Sequence, residues 1–439
     1  MRVASAICLA LLTDAAVAQT GAAERPVLSL KDAVQTALAT QPALRQSHAG
    51  TEAAYARADE ARAPLLPQLS ASATYQRLTG NFVARPGQLP SSLQNAAPPS
   101  FRSYNYFLFG ASLSQLIWDF GLTWDRWRSA QSNARAQLAT EEEFRLSTIL
   151  NVQVAYLNGG ARRDLVAVAK ETLANQELHL RQIEGFVKVG TRPEIDLAQA
   201  RTDAANARFQ LISAENNYDV SKAQLNQAMG VEGPTDYNVG NDTIPPFTSE
   251  EQPLAPLLEV AIRTRPEFVS VDEQIRAQEF IIASTRGAYF PSLGAGLSFT
   301  DNGPRLDSLT WNWTAQLTLQ WNLFQGLLTN SQMAEARANL VSFQAQRDIL
   351  RQQLRLEVEQ ARLSLRGAKA GLVAANEALV NARIRLHLAE RRYETGVGSV
   401  IELSDAQVAA TNAAAQEVVA RFTEAIARAM LLKAIGERG

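Results

Sequence analysis

Apolar residues recur every seven positions along two long stretches of this chain. Val166, Leu173, Leu180 and Val187 lead up to Gly190, and Leu372, Leu379, Leu386 and Tyr393 lead up to Gly396, each 206 positions later. Beyond the glycines the spacing resumes in Leu197, Ala204, Leu211, Tyr218 and Leu225, and in Val408, Ala415, Phe422 and Ala429. An apolar repeat of seven sustained over several heptads predicts a left-handed coiled-coil seam. Each stretch therefore predicts a long antiparallel helical hairpin with a glycine-marked tip, at about 122–229 and 327–436. No proline interrupts 122–187 or 327–393, so each outgoing arm would reach roughly 90–100 Å at the helical rise. Gly159-Gly160 in the first arm, and Gly367 and Gly371 in the second, predict close packing or a local bend.

Ahead of each hairpin the period changes to two. Leu69, Ala71, Ala73 and Tyr75 alternate with Ser70, Ser72, Thr74 and Gln76; Leu293, Ala295, Leu297 and Phe299 alternate with Ser and Gly. Phe107, Phe109, Ala111 and Leu113 form a third stripe, and Trp311, Trp313, Ala315, Leu317, Leu319 and Trp321 a fourth, set against Asn, Thr and Gln. The expected strand pairs are about 66–78/104–118 and 290–300/310–324. Alternation alone would suit a sheet over a soluble core. The uncharged polar faces, and the tryptophans at both ends of the last stripe, point instead to an outer-membrane β-barrel. On that reading Phe107, Phe109, Leu113, Leu297, Phe299, Trp311, Trp313, Leu317, Leu319 and Trp321 face lipid. Four strands cannot close a barrel, and an open edge in lipid leaves backbone groups unsatisfied. The chain must therefore complete its sheet by oligomerising. The rival reading is a secreted periplasmic coiled-coil scaffold without a transport role, whose strands form a small soluble sheet.

The same elements occur twice, so the expected organisation is one body, 19–439, made of two repeats at about 28–230 and 254–439, joined by a linker, 231–253, rich in Pro, Gly and Asp. Pro42 and Pro266 stand 224 positions apart. The offset falls to 206 after the strand-to-strand connections, because the first connection, 79–103, is longer by 18 residues and reads as an exposed Pro-rich loop.

Composition narrows the function. Lys plus Arg total 42 against 44 Asp plus Glu, which leaves no basic footprint for nucleic acid. Residues 1–18 read as a secretory signal peptide: Arg2, an apolar run from Val3 to Leu12, then Ala16-Val17-Ala18 before Gln19. The sole cysteine, Cys8, lies within that segment and not at its cleavage point, so no lipid anchor and no disulfide are expected. His48, His179 and His387 are isolated on helical sequence and expected to be exposed, and none has a metal-ligand partner at usable spacing. No nucleophile elbow, phosphate loop or dinucleotide fingerprint is present. No catalytic residue, cofactor or metal is expected.

Two tip motifs, Val189-Gly190-Thr191-Arg192-Pro193-Glu194-Ile195-Asp196-Leu197 and Tyr393-Glu394-Thr395-Gly396-Val397-Gly398-Ser399-Val400-Ile401-Glu402-Leu403, resemble the TolC-type outer-membrane efflux protein family, as do Gln115–Gly121 and Trp321–Gly326, where strand hands over to helix. The resemblance covers essentially the whole chain after the signal segment. It implies a homotrimer in which four strands per chain complete a 12-stranded barrel, the helical hairpins form an α-barrel into the periplasm, and short helices form an equatorial belt. It also implies a passive exit duct of a tripartite efflux or secretion system, docked by a periplasmic adaptor and an inner-membrane transporter.

In that family inward-coiled hairpins close the periplasmic end. By motif position the gate or adaptor-docking tip comprises Gly190, Thr191, Arg192, Asp196 and Leu197, with Tyr393, Gly396, Ser399, Glu402, Leu403 and Asp405. Asp196, Tyr393, Glu402 and Asp405 are the polar gate candidates, although Glu194 and Asp196 equally suit a helix N-terminus. An arginine of the family's second tip is replaced by Gly398, while Arg192 holds the corresponding place in the first, so the family's tyrosine–arginine–aspartate lock is incomplete.

Overall fold

The computed structural model describes residues 26–79 and 100–437. The signal segment with Cys8, and most of the Pro-rich loop, lie outside these residues. Each repeat opens with two short helices, α1 (Leu30–Thr40) and α2 (Pro42–Arg62) in the first, α5 (Leu254–Thr264) and α6 (Pro266–Gly287) in the second. Proline sits at the first turn of α2 and of α6, where its missing N–H costs nothing. The Ser29 hydroxyl caps α1 by accepting from the Asp32 amide at 3.1 Å.

Four strands follow the helix pairs: β2 (Gln68–Thr79), β3 (Ser103–Trp118), β5 (Ser292–Gly303) and β6 (Thr310–Gln320). They form one antiparallel sheet in the order β2-β3-β5-β6. Direct opposition puts like with like: Ser70, Ser112, Ser298 and Thr314 form one cross-strand row, and Leu69, Leu113, Leu297 and Ala315 the next. The Ser70 and Ser112 hydroxyls lie 2.7 Å apart. The expected last strand, 310–324, is shorter than its sequence pattern: β6 ends at Gln320, so Trp321 leaves the ladder and its indole donates to the Tyr289 carbonyl at 3.1 Å.

Two α-helices of 67 residues each carry the length of the molecule, α3 (Leu122–Lys188) and α7 (Leu328–Glu394), each about 100 Å long at the helical rise. Their return arms are about half as long, α4 (Glu194–Met229) and α8 (Val400–Ala434). The other half of α3 packs on α2 and α6, and that of α7 on α5 and α6, while α8 also packs on α3. Each long helix is thus partnered end to end, once toward the tip and once toward the sheet.

The cores repeat residue for residue. Ala33, Ala37, Val152, Leu225 and Met229 are buried in one cluster, and Leu257, Ala261, Val358, Leu431 and Ile435 in the other, at offsets of 224 for the short helices and 206 for the long ones. A Cβ on Gly159 or Gly160 would fall 3.1 Å from Val239 and 2.7 Å from Phe422, so close packing accounts for this pair. Gly367 and Gly371 meet nothing within 4 Å and line an open groove instead. Val408, expected on the seam of α8, is 55% exposed, because the buried face begins at Leu403 and continues through Ala406, Ala410 and Ala413.

The linker is anchored at both ends. Strand β4 (Asn238–Val239) pairs parallel with β1 (Val27–Leu28). Buried Glu250 accepts from Arg428 and, at 2.6 Å, from Lys369. Burial alone would raise the Glu250 pKa, but these cations hold it below the usual carboxylate range.

Candidate functional site at the hairpin tips

Both tips have the same backbone. Gly190 and Gly396 adopt φ of 77° and 79°, the left-handed region that glycine enters without steric cost. The Thr191 amide donates to the Phe186 carbonyl and Gly190 to Val187, each at 3.0 Å; Val397 donates to Arg392 and Gly396 to Tyr393 in the same pattern. This is the Schellman arrangement that satisfies the last carbonyls of a helix. Gly190, Thr191, Gly396 and Ser399 are exposed at the extremity, and the Ser399 hydroxyl caps α8 by accepting from the Glu402 amide at 3.1 Å.

The side chains of the two tips converge on Tyr393. Its ring is 4% exposed, packed with Ala389, Leu403 and Ala406 and flanked by Leu386 and Val400. The Arg192 guanidinium lies over the ring at 4.6 Å from its centroid, crossing from the first hairpin to the second. His179 of α3 meets the same ring edge-on at 5.4 Å. The Tyr393 hydroxyl is buried without a hydrogen-bond partner. Burial raises its pKa, with Arg192 opposing and nearby Asp196 reinforcing the shift. Asp196 is buried in the first turn of α4, and Leu197 is half-buried beside it.

Arg192 and Tyr393, supplied by different tips, thus lie against each other. A Cβ at Gly398 would lie 3.0 Å from the Arg392 carbonyl carbon and the Tyr393 nitrogen, a tight fit against the end of α7. Glu402 pairs with Arg392 at 3.2 Å on the half-exposed surface, a contact worth little by itself. Asp405 is exposed on α8.

His179 overturns an expectation. It is buried rather than exposed, since α3 carries two inward faces: the heptad face toward α4, and a second through Gln176, His179 and Ile183. That second face meets the other hairpin, where Gln176 donates to Gln407 at 3.1 Å and the Thr172 and Thr411 hydroxyls lie 3.2 Å apart. Burial lowers the His179 pKa. The recurrence of Gln176, His179 and Ile183 at three- and four-residue spacing was the available signal. Among the described residues no cluster of three or more His, Cys, Asp or Glu could hold a metal ion.

At the opposite end, the stripes expected to meet lipid share one face of the sheet. Trp311, Trp313, Leu317 and Leu319 are exposed along β6, and Leu297, Phe299, Phe109 and Leu113 continue the face across β5 and β3. Phe107 is half-buried under Tyr75, at 5.1 Å between centroids. Trp321 lies beyond the last rung. Among the described residues no helix is long and apolar enough to cross a membrane, which says nothing of a barrel.

A family model described as "Outer membrane efflux protein" matches residues 33–231 and 257–437. Outer membrane protein TolC of Escherichia coli is 27% identical over 438 residues, covering 93% of this chain and 82% of that protein. The toluene efflux pump outer membrane protein TtgF of Pseudomonas putida is 25% identical, covering 93% and 83%. In fold, the Campylobacter jejuni CmeC outer membrane channel superposes with a TM-score of 0.80 at 20% identity, covering 93% of this chain and 85% of that one.

Proposed function

The chain belongs to the outer membrane efflux protein family, and from that premise we propose that it is the trimeric exit duct of a tripartite efflux or secretion system. The observation that carries this reading is the sheet: four strands, an exposed apolar face, and an edge at each end of the order. Bilayers admit only closed barrels, and barrels span with an even number of strands from eight upward. Three copies supply twelve. A soluble scaffold would leave the whole apolar face in water, which nothing in that role offsets.

On this reading α3, α4, α7 and α8 of three copies line an α-barrel in the periplasm, and cargo moves passively through it. The inner-membrane transporter supplies the energy, and a periplasmic adaptor docks at the exposed tip residues. Arg192, Tyr393, His179 and Asp196 hold the two hairpins of each copy together at the gate. The lipid-facing residues are Phe107, Phe109, Leu113, Leu297, Phe299, Trp311, Trp313, Leu317 and Leu319.

Leu317→Arg tests the orientation. A charge facing lipid near the midplane costs roughly 2–4 kcal/mol, so the variant should lose its place in the outer-membrane fraction and its trimer in detergent. Unchanged assembly would overturn the assignment of that face.

A further inference from the structure

The foot of the sheet, where strands hand over to helices, is ringed by exposed aromatic residues. Trp118, Phe120 and Trp124 stand at the junction of β3 with α3, Phe290 at that of α6 with β5, and Trp321 and Phe324 between β6 and α7. Trp118 meets Phe120 edge-on at 6.0 Å, and Phe120 stacks on Phe290 at 4.9 Å, joining two of the junctions. Aromatic rings gather at the headgroup level of a membrane. Both long helices leave the sheet at this edge, so the belt marks the periplasmic leaflet.

In the first repeat the belt carries a cation in a defined seat. Arg62 ends α2 and is exposed. Its guanidinium lies over the half-buried Trp127 ring at 5.5 Å from the centroid, and Trp124 meets Trp127 edge-on at 4.8 Å. Among the described residues no carboxylate pairs with Arg62, although Asp59 and Glu60 precede it on α2. A guanidinium seated on a ring keeps its N–H donors in its own plane, free for a bidentate phosphate. Neighbouring Arg128 is already committed, to Asp125 at 3.5 Å and to the Phe280 ring at 4.1 Å. Past Arg62 the chain turns through Leu66 and Leu69, both exposed, onto the apolar face of the sheet. Cation, indoles and apolar surface thus succeed one another in the order of phosphate, glycerol backbone and acyl chain in a phospholipid.

The second repeat supplies the comparison. At the offset of 224, Arg62 becomes Arg286, which is exposed in the last turn of α6. At the offset of 206, Trp127 becomes Met333, which is buried, and Trp124 becomes Asn330, whose side chain accepts from the Tyr289 hydroxyl. The charge is kept and its aromatic seat is not.

We propose that Arg62, Trp127 and Trp124 bind the phosphate headgroup of an anionic phospholipid in the periplasmic leaflet, one per chain. This rests on the barrel reading above and adds to it a lipid class and a place. An aromatic belt by itself sets depth and takes any lipid. A planar cation without a carboxylate partner selects a headgroup of net negative charge over a zwitterionic one, whose ammonium it repels.

The test is native mass spectrometry of the full chain purified in detergent from outer membranes. It is titrated with phosphatidylglycerol or with phosphatidylcholine of the same acyl chains. Phosphatidylglycerol should be retained, up to one per chain, at least about fivefold more tightly than phosphatidylcholine, the worth of one basic side chain near an anionic lipid. Arg62→Gln should bring that preference below about twofold. Trp127→Leu should weaken it with Arg62 still in place, and Arg286→Gln should leave it unchanged. A preference that survives Arg62→Gln, or that Arg286→Gln removes equally, overturns the site. Inorganic phosphate held as tightly as phosphatidylglycerol would make this a free-anion site and overturn the lipid. Trimers without any preference overturn the lipid site and leave the duct standing. An unsubstituted chain that is monomeric in detergent sinks both.

Discussion

The two hairpin tips share a backbone and divide the work. Each closes with a Schellman turn on a left-handed glycine, yet the first starts its return helix at Pro193 with no side-chain cap, and the second at Ser399 with one. The first tip carries Arg192 across to the second; the second carries Tyr393 inward and has only a tight space for a Cβ at Gly398. Duplication has kept the positions that the chain geometry dictates and let the rest diverge into two halves of one contact. The tip is best understood as a pair, with neither hairpin complete alone.

Removing the shared element should have the largest effect. Tyr393→Ala deletes a buried aromatic ring, a change that costs about 3–5 kcal/mol in packed cores. Amide exchange should then rise in both tips, around 176–197 and 386–406 alike. Acceleration confined to the second tip would mean that the hairpins are not coupled through this ring. Ser399→Ala should cost about 1 kcal/mol, the worth of an N-cap, with faster exchange at the start of α8 and none at α4. Arg192→Gln removes a cation–π contact at a half-exposed site, about 0.5–1 kcal/mol. In planar bilayers that variant should open more often.

The smallest effect is that of pH. Burial holds His179 below its ordinary value of 6.5, so below that pH the unfolded tip binds more protons than the folded one. Stability rises with pH where the unfolded state binds more protons. The tip should therefore loosen as pH falls through 6.5 toward the lower folded value, and show no contribution from this group well above it. His179→Gln should abolish the difference in tip protection, corrected for the intrinsic exchange rate, between about pH 7.5 and about pH 5.5. A dependence that survives the substitution would place the titrating group elsewhere.

Periodicity made most of the fold legible. The seven-residue spacing ending at Val187 and Tyr393 located both tips. The period of two located all four strands and their shared face, because the apolar residues of each strand fall on one side of the sheet. Two readings failed for one physical reason. Val408 was read on a single seam and His179 as isolated and exposed, whereas a helix packed among several others has more than one inward face, and Ala406, Ala410 and Gln176 are too small or too polar to announce theirs. The end of β6 was overextended because Trp321 continues the stripe although the ladder has stopped. The Arg192–Tyr393 contact lies beyond any local pattern, since it joins residues 201 positions apart.

The exposed apolar face of the sheet also governs how such a chain must reach its destination. A newly exported copy carries Leu69, Trp313, Leu317 and Leu319 into an aqueous compartment, together with two strand edges whose amides and carbonyls invite any other strand. Correct assembly then competes with aggregation, and the competition worsens with concentration and with delay. Sheet and helices would mature at different times: α3 and α7 can coil with partners from their own chain, while the outer edges of β2 and β6 wait for another. A holding chaperone that binds extended apolar segments would need to cover the edge strands 68–79 and 310–320 and the apolar face between them, and its release would set the pace of insertion.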